Sequence, residues 1–96
     1  VQRDDAMKML YFAWFRQRIG LGEEDIDLPA DVSTVGELIT WLQGRGPGYA
    51  AALDDLSVVR VAVNQEFSSL SDPVANSDEV ALFPPVTGGT EPGTGR

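Results

Sequence analysis

The chain opens with a long apolar run and then changes to alternating apolar and polar residues. Met7 to Trp14 is nearly continuously apolar, which is typical of a strand that is covered on both faces and central in its sheet. The next residues, Phe15 to Ile19, carry Arg16 and Arg18 and lead to a glycine. This stretch predicts at most a short helical turn, with the two arginines either in solvent or facing a partner.

A second strand is predicted from Glu23 to Leu28, where apolar and acidic residues alternate. Ile26 and Leu28 fall on one face of this strand, whereas Asp25 and Asp27 fall on the other. Two carboxylates on one face resemble a paired acid site, but no other ligand type lies near them in the sequence. We interpret them as solvent-facing charges, which discourage edge-to-edge pairing of sheets.

The clearest helix begins at Thr34. Thr34 and Glu37 have capping-box spacing, in which the Thr34 hydroxyl accepts from the Glu37 N–H and the Glu37 carboxylate reaches back. Apolar residues at i, i+3, i+4 and i+7 form one stripe that faces a sheet, namely Val35, Leu38, Ile39 and Leu42. Glycines and Pro47 end the helix, and residues 48–56 are expected to be a loop with a short turn. Trp41 lies beside the stripe, as a flank contact or a partner contact.

Three further strands are predicted in the second half of the chain. Val58 to Val63 is a strong strand whose alternate valines share one face. Asn64-Gln65-Glu66 is a turn candidate, so residues 67–70 would form a short returning strand. Residues 71–78 have the composition of turns, and Glu79 to Phe83 forms the last strand.

This order of elements indicates an α+β domain. One main helix among strands suits a mixed sheet of about four to five strands with one covered face. If the first two strands are antiparallel and the helix crosses over to the later ones, the fold is a ubiquitin-like β-grasp. The chain has 96 residues and neither an internal repeat nor a linker, so we expect a single domain.

Charge and hydropathy narrow the classes of partner. The net charge is −8 and the seven Lys and Arg residues do not cluster. Nucleic acid and anionic membranes are therefore disfavoured as partners, and a basic protein surface is favoured. No apolar run approaches the length of a membrane span, and the first residues lack a signal-peptide pattern. We expect a soluble, cytoplasmic protein.

The chain contains no cysteine and no histidine. A thiolate nucleophile, a zinc–sulfur site, an imidazole base and an imidazole metal ligand are thereby excluded. The remaining chemical groups are carboxylates, hydroxyls, arginines, Lys8, and the phenols of Tyr11 and Tyr49. We expect no metal and no cofactor, and a binding or carrier module in preference to an enzyme.

The end of the last strand carries the strongest functional signal. Phe83 is followed by Pro84 and Pro85, which have no backbone N–H and must end the sheet ladder. Val86 and Thr87 lead to the diglycine Gly88-Gly89, a backbone without side chains that can enter a narrow slot. We call residues 83–89 the C-terminal arm and expect it to be flexible and presented to a partner. The alternation with Val80 and Leu82 places Phe83 on the outward face.

Several of these segments together resemble a known family. The run from Asp78 through Phe83-Pro84-Pro85-Val86-Thr87 to Gly88-Gly89, with Asn64-Gln65-Glu66 after a valine strand, is similar to the small subunit of molybdopterin synthase (MoaD). The start, Met9 to Ala13 leading to Arg16 and Gly20, resembles the first strand and turn of that family. The resemblance covers about residues 7–89. A diglycine alone is weak evidence, whereas the full run is specific.

The resemblance implies a sulfur carrier that is not an enzyme on its own. A ubiquitin-activating-like adenylyltransferase (MoeB-like) would adenylate the Gly89 carboxylate, which is then converted to a thiocarboxylate. Gly88 would permit threading, and Phe83, Pro84, Pro85, Val86 and Thr87 would dock against the large synthase subunit (MoaE-like). There the sulfur would pass to cyclic pyranopterin monophosphate, in molybdenum cofactor biosynthesis.

The residues beyond the diglycine depart from the family pattern. Thr90 to Arg96 follow Gly89, and a peptide-bonded Gly89 has no carboxylate to activate. We expect residues 90–96 to be a disordered tail, either a precursor extension that a protease removes or an appended segment. Residues 1–6 are expected to be a disordered leader, so that residues 7–89 form the carrier domain.

Two other functions are kept as alternatives. A sulfur carrier for thiamine, cysteine or tRNA thiolation would share the fold and the diglycine. A β-grasp interaction module or protein modifier would use the two glycines as a linker or a conjugation point. The Phe-Pro-Pro-Val sequence of the arm favours the molybdopterin branch.

Overall fold

The computed structural model describes residues 6–85 and contains a five-stranded mixed sheet. The strands are β1 (Met7–Tyr11), β2 (Glu23–Ile26), β3 (Arg60–Val63), β4 (Glu66–Ser68) and β5 (Glu79–Phe83). The helices are α1 (Trp14–Ile19), α2 (Val35–Gln43) and α3 (Pro47–Ala52), with a 3-10 turn at Leu56–Val58. The strand order is β2-β1-β5-β3-β4. Within residues 6–85, no helix has the length and apolar content to cross a membrane.

The sheet has the pairing of a β-grasp fold. β1 pairs antiparallel with β2 and parallel with β5, and β3 pairs antiparallel with both β5 and β4. The last strand of the sequence therefore lies at the centre of the sheet, between the first strand and the third. The predicted fold class is confirmed.

One face of the sheet packs on the helices and the other is open. The alternate residues Met7, Met9 and Tyr11 of β1 and Val80 and Leu82 of β5 are buried. They share one core with the α2 stripe predicted from the sequence, Val35, Leu38, Ile39 and Leu42. The intervening residues of β1 and β5 lie on the open face. Burial is thus one-sided, as in an amphipathic antiparallel strand.

The prediction that the first strand is covered on both faces was wrong. β1 ends at Tyr11, and the apolar residues that follow turn into α1 through Ala13, whose φ is 54°. Lys8 is exposed and Leu10 half-buried on the open face. The error arose because residues 12–14 continue the apolar run of the strand in sequence, although they form a turn and the start of α1.

The predicted helix cap is present, except that the carboxylate of Glu37 bonds to the residue before the expected one. The Thr34 hydroxyl accepts from the Glu37 N–H at 3.2 Å, as expected. The Glu37 carboxylate reaches back to the N–H of Ser33 at 2.8 Å, and this hydrogen bond is the main reason that the pKa of Glu37 is lowered. Two further N–H groups of the first turn, those of Val35 and Gly36, donate to the carbonyls of Asp72 and Leu70. The N-terminus of α2 is satisfied by the protein itself.

The stretch predicted as a loop, residues 48–56, contains most of a third helix. Pro47 does not end a helix here but begins α3 as its first residue, a position where its missing N–H costs nothing. Gly48 lets α3 approach α1 closely, because a Cβ at this position would lie 2.4 Å from the Arg18 carbonyl oxygen. This close contact between distant segments has no local sequence signal.

Boundaries of β2, β3 and β4 differ from the predictions by one or two residues. β2 ends at Ile26, β3 begins at Arg60 because Val58 closes a 3-10 turn, and β4 begins at Glu66. The turn between β3 and β4 has positive φ at Asn64 (52°) and Gln65 (72°) without a glycine. The Asn64 side chain stabilises it by donating to Asp78 and accepting from the Glu79 N–H, both at 3.0 Å.

The predictions for the ends of the chain fall mostly outside the described residues. This holds for residues 1–5 of the expected leader, for the tail at 90–96, and for residues 86–89 of the arm. Ala6, assigned to the leader, is described, and its carbonyl accepts from the Ser77 N–H at 3.2 Å.

Candidate functional site

The candidate site begins at the C-terminal end of β5, where Phe83 is followed by two prolines. We call Phe83, Pro84 and Pro85 the arm root; all three side chains are half-buried. Phe83 is the last residue in the ladder and lies opposite Arg60 of β3. Because neither proline can donate a backbone hydrogen bond, sheet pairing cannot continue past this point. The predicted site residues Val86, Thr87, Gly88 and Gly89 lie outside the described residues.

Phe83 has the predicted orientation. Its neighbours Val80 and Leu82 are fully buried on the helix side, so Phe83 lies on the open face. There its ring packs against the ring of Phe67 from the edge strand β4, with centroids 5.8 Å apart. The arm root is therefore braced by an aromatic contact as well as by the ladder.

Two aromatic residues near the arm root were not identified from the sequence. Phe12, next to β1, is 49% exposed, and its N–H donates to the Leu82 carbonyl at 3.1 Å. Phe67 is 61% exposed. The exposure of Phe12 could have been predicted. Side chains alternate between the two faces of a strand, so residues 10 and 12 lie on the same face as Lys8, which is the solvent face. Phe67 needed the register of β4, which the sequence does not give.

Two acidic residues of β2, Glu23 and Asp25, form only weak ion pairs, both on the open face. Lys8 Nζ lies 3.8 Å from a Glu23 carboxylate oxygen and 4.0 Å from one of Asp25. All three side chains are about half exposed or more, so these pairs contribute little to stability. Within the described part of the chain, no group of three or more acidic side chains is arranged to hold a metal ion.

The two tyrosines that remained as candidate chemical groups are engaged in a structural network. The hydroxyls of Tyr11 and Tyr49 both donate to Glu24 Oε2 at 2.7 Å, and Arg45 lies 3.2 Å from Glu24 Oε1. Burial, followed by the hydrogen bond to Glu24, raises the pKa of both tyrosines above the ordinary value. Phenols held protonated in this way are poor bases and poor nucleophiles.

Two of the residues left open by the sequence, Trp41 and Arg18, make cation–π contacts within the domain. The Arg45 guanidinium lies 5.1 Å from the centre of the half-buried Trp41 ring, and equally far from that of Tyr49. Arg18 lies 6.0 Å from the centre of the Trp14 ring. Trp41 is thus a flank packer covered by a cation, a favourable arrangement at a partly exposed position.

These features define a class of protein: a β-grasp domain whose central strand β5 ends at two prolines, with exposed aromatic side chains nearby. The ThiS family model matches residues 9–89, and the chain belongs to that family. The match extends to Gly89, the second glycine of the arm.

Curated relatives agree with this family. The chain is similar to the molybdopterin synthase sulfur carrier subunit of Escherichia coli, with 39% identity over 83 residues, which covers 86% of this chain and 99% of that protein. It is also similar to small archaeal modifier protein 1 of Haloferax volcanii, with 32% identity over 91 residues, covering 86% of this chain and all of that protein.

Solved structures give the same fold. Subunit 1 of a molybdopterin converting factor from Pyrococcus furiosus superposes with a TM-score of 0.70 at 32% identity, covering 84% of this chain and 98% of that one. A complex of subunits 1 and 2 of the molybdopterin-converting factor from Helicobacter pylori contains a chain with a TM-score of 0.58 at 25% identity, covering 88% of this chain and 99% of that one.

Proposed function

We propose that this chain is the sulfur carrier, and hence the small subunit, of a molybdopterin synthase, and that it is not an enzyme on its own. The observation that carries the proposal is the extent of the family match, which ends at Gly89, four residues beyond the arm root. The curated E. coli relative, at 39% identity, is named for this role. The cytoplasm is the location we assign to it.

In this proposal Gly89 bears the sulfur. A ubiquitin-activating-like adenylyltransferase transfers AMP from ATP to the Gly89 carboxylate and releases pyrophosphate. Hydrosulfide from a sulfur donor then attacks the carbonyl carbon of the acyl-adenylate. The new C–S bond forms the thiocarboxylate as the C–O bond to AMP breaks and AMP leaves. The body of the domain supports this assignment, because the chain has no cysteine that would hold sulfur as a persulfide and its phenols are engaged with Glu24.

The partner is the large synthase subunit, and the arm is the part that enters it. Four residues separate Pro85 from Gly89, so an extended arm reaches at most about 13 to 14 Å beyond the arm root. Gly88 lets the backbone pass a narrow opening, while Phe83, Pro84, Pro85, Val86 and Thr87 dock at its entrance. The exposed rings of Phe12 and Phe67 beside Phe83 offer an apolar surface for that contact. The H. pylori complex of subunits 1 and 2 of the molybdopterin-converting factor supports such a pairing.

Activation requires a free carboxylate at Gly89, so the residues after it must be absent from the active form. We propose that residues 7–89 are the carrier domain and that Thr90 to Arg96 are removed by a protease. Intact-mass measurement of the protein from its native cells is expected to give a chain that ends at Gly89, part of which carries sulfur in place of one oxygen. Finding only chains that continue past Gly89 would contradict the proposal.

Protein modification is a second candidate, favoured by the similarity to the Haloferax modifier protein. In that case the activated Gly89 would form an isopeptide bond with a lysine of another protein. The two candidates separate in the same cells. After tryptic digestion, a modifier yields lysine-branched peptides that carry residues 61–89 of this chain, because Arg60 is the last cleavage site before Gly89. A carrier yields free thiocarboxylate.

A further inference from the structure

A groove of about 550 Å³ lies beside the arm root, at the edge of the sheet where β3 and β4 separate. The last pair of residues in register between these two strands is Val61 and Ser68. The next residue, Ser69, bonds through its N–H to the Asp72 carboxylate at 2.9 Å instead, so the chain turns away from β3. The floor of the groove consists of buried core residues, namely Ile39, Val59 and Val61.

The rim of this groove is unusually apolar for an exposed surface. Of the five large apolar side chains that are exposed within residues 6–85, three line the groove: Leu56 at 41%, Phe67 at 61% and Leu70 at 49%. Phe83 and Pro85 of the arm root continue the same wall. Apolar side chains gathered around one concavity indicate a contact surface for another molecule.

The charge of the groove is opposite to that of the chain as a whole. The chain has 15 acidic residues and a net charge of −8, yet the lining contains no carboxylate and one cation, Arg60. The Nη1 atom of Arg60 donates to the carbonyls of Ser57 at 3.1 Å and Val59 at 3.3 Å, which fixes the guanidinium at the rim. Within residues 6–85, no carboxylate lies at ion-pair distance from Arg60. A neighbouring acidic group from a partner would be attracted to it.

The backbone at this place also favours an extended ligand. β4 is an edge strand of only three residues, and an edge strand has one side of its hydrogen-bonding groups free to pair with another chain. A strand laid along β4 presents alternate side chains to one face. One of them would fall toward the groove and its neighbours toward the rim.

We propose that this groove binds an extended acidic–apolar segment of the large synthase subunit. An apolar side chain of that segment fills the space between Leu56 and Leu70, and an adjacent Asp or Glu carboxylate pairs with Arg60. The inference rests on the proposed function and deepens it, because it adds a contact that does not depend on the arm. The arm then supplies the chemistry, and the groove sets the register of the two subunits.

The first test measures binding of the full chain to the large subunit from the same organism, by calorimetry. Arg60→Glu is expected to weaken binding by about tenfold or more, because like charges then meet at the rim. The loss should shrink as salt rises, since a rim pair is screened. Arg18→Glu, the same charge change on α1, is the control and is expected to bind as the parent does. Thermal unfolding of each variant verifies that the fold is retained.

The outcomes of this test separate the two proposals. If the parent chain does not bind the large subunit, the proposed function fails. If the parent binds and Arg60→Glu binds equally well, or if Arg18→Glu loses as much affinity, the groove inference is overturned while the proposed function stands.

A photoreactive phenylalanine analogue at position 70 identifies the occupant directly. Cross-links to a large-subunit peptide with an Asp or Glu beside an apolar residue are expected, and changing that acid to Arg should restore binding of Arg60→Glu. Cross-links to a second copy of this chain, or to its own residues 86–96, would overturn the inference.

Discussion

Ala13 has a backbone conformation that disfavours any side chain. Its φ of 54° and ψ of −129° lie outside the regions allowed to L-residues, and its methyl group is exposed. The residue makes the turn from β1 into α1, directly after Phe12, and so fixes where the exposed Phe12 ring leaves the sheet. The strain is tolerated because the ladder on one side and the core residue Phe15 on the other hold the turn in place.

Ala13→Gly is therefore expected to stabilise the protein, by about 1 kcal/mol, since glycine adopts this conformation without steric cost. Urea unfolding of the two proteins measures the difference. Ala50→Gly is the control, because Ala50 is exposed in α3 with ordinary helical bonding. It should cost about 0.5 to 1 kcal/mol. Equal destabilisation of both variants would show that Ala13 is unstrained in solution.

At the scale of elements, α3 is tied to the sheet by the hydrogen bonds to Glu24. Tyr11 belongs to β1, Glu24 to β2 and Tyr49 to α3, so one carboxylate joins two strands and a helix. The Tyr11 and Tyr49 rings also meet edge to face, with centroids 6.4 Å apart. The network can exist only while both phenols keep their protons.

Because both phenols must stay protonated, the free energy of unfolding is expected to vary with pH in the alkaline range. The pKa of each tyrosine is raised in the folded state above its ordinary value of 10.0, first by burial and then by the hydrogen bond to Glu24. Above about pH 10 the unfolded chain loses these protons and the folded protein retains them, so the free energy of unfolding falls, by up to about 1.4 kcal/mol per pH unit for each group. Below pH 10 the contribution is fully present.

Urea unfolding from pH 8 to 11 measures this decline. Tyr49→Phe removes one of the two groups and should make the decline shallower, while Lys8 and the arginines, common to both proteins, cancel in the comparison. Identical slopes for the parent and the variant would mean that Tyr49 titrates normally.

Elements that are determined by residues close together in the sequence were predictable. Elements that depend on contacts between residues far apart in the sequence were not. The α2 stripe and the Thr34 cap follow from residues within two turns of one another, and the sequence predicts both. The end of β1 at Tyr11 depends on a turn whose apolar residues look like more strand, and α3 depends on Gly48 meeting Arg18 from α1. The outward orientation of Phe83 was predictable by alternation, whereas Phe67 and the groove at Arg60 depend on the register between β3 and β4.

At the scale of the molecule, the domain and the arm are expected to be energetically separate. Within residues 6–85, the last member of the buried core is Leu82, which precedes the arm root. Deleting Gly88 and Gly89 should therefore abolish sulfur transfer and leave the thermal midpoint of unfolding nearly unchanged. Paired activity and melting measurements on one preparation test this. A lowered midpoint would assign the glycines a structural role.

The central position of β5 has a consequence for synthesis of the protein. β5 is the last strand to be made, yet it pairs with β1 and β3, and Lys8 lies opposite Glu79. Contacts so far apart in sequence form slowly and only when both segments are available. A nascent chain that still lacks residues 79–83 has no strand to join its two halves, so it cannot finish the sheet on the ribosome. The arm follows β5 in the sequence, so a nascent chain long enough to include the arm also contains the strand that joins the two halves of the sheet.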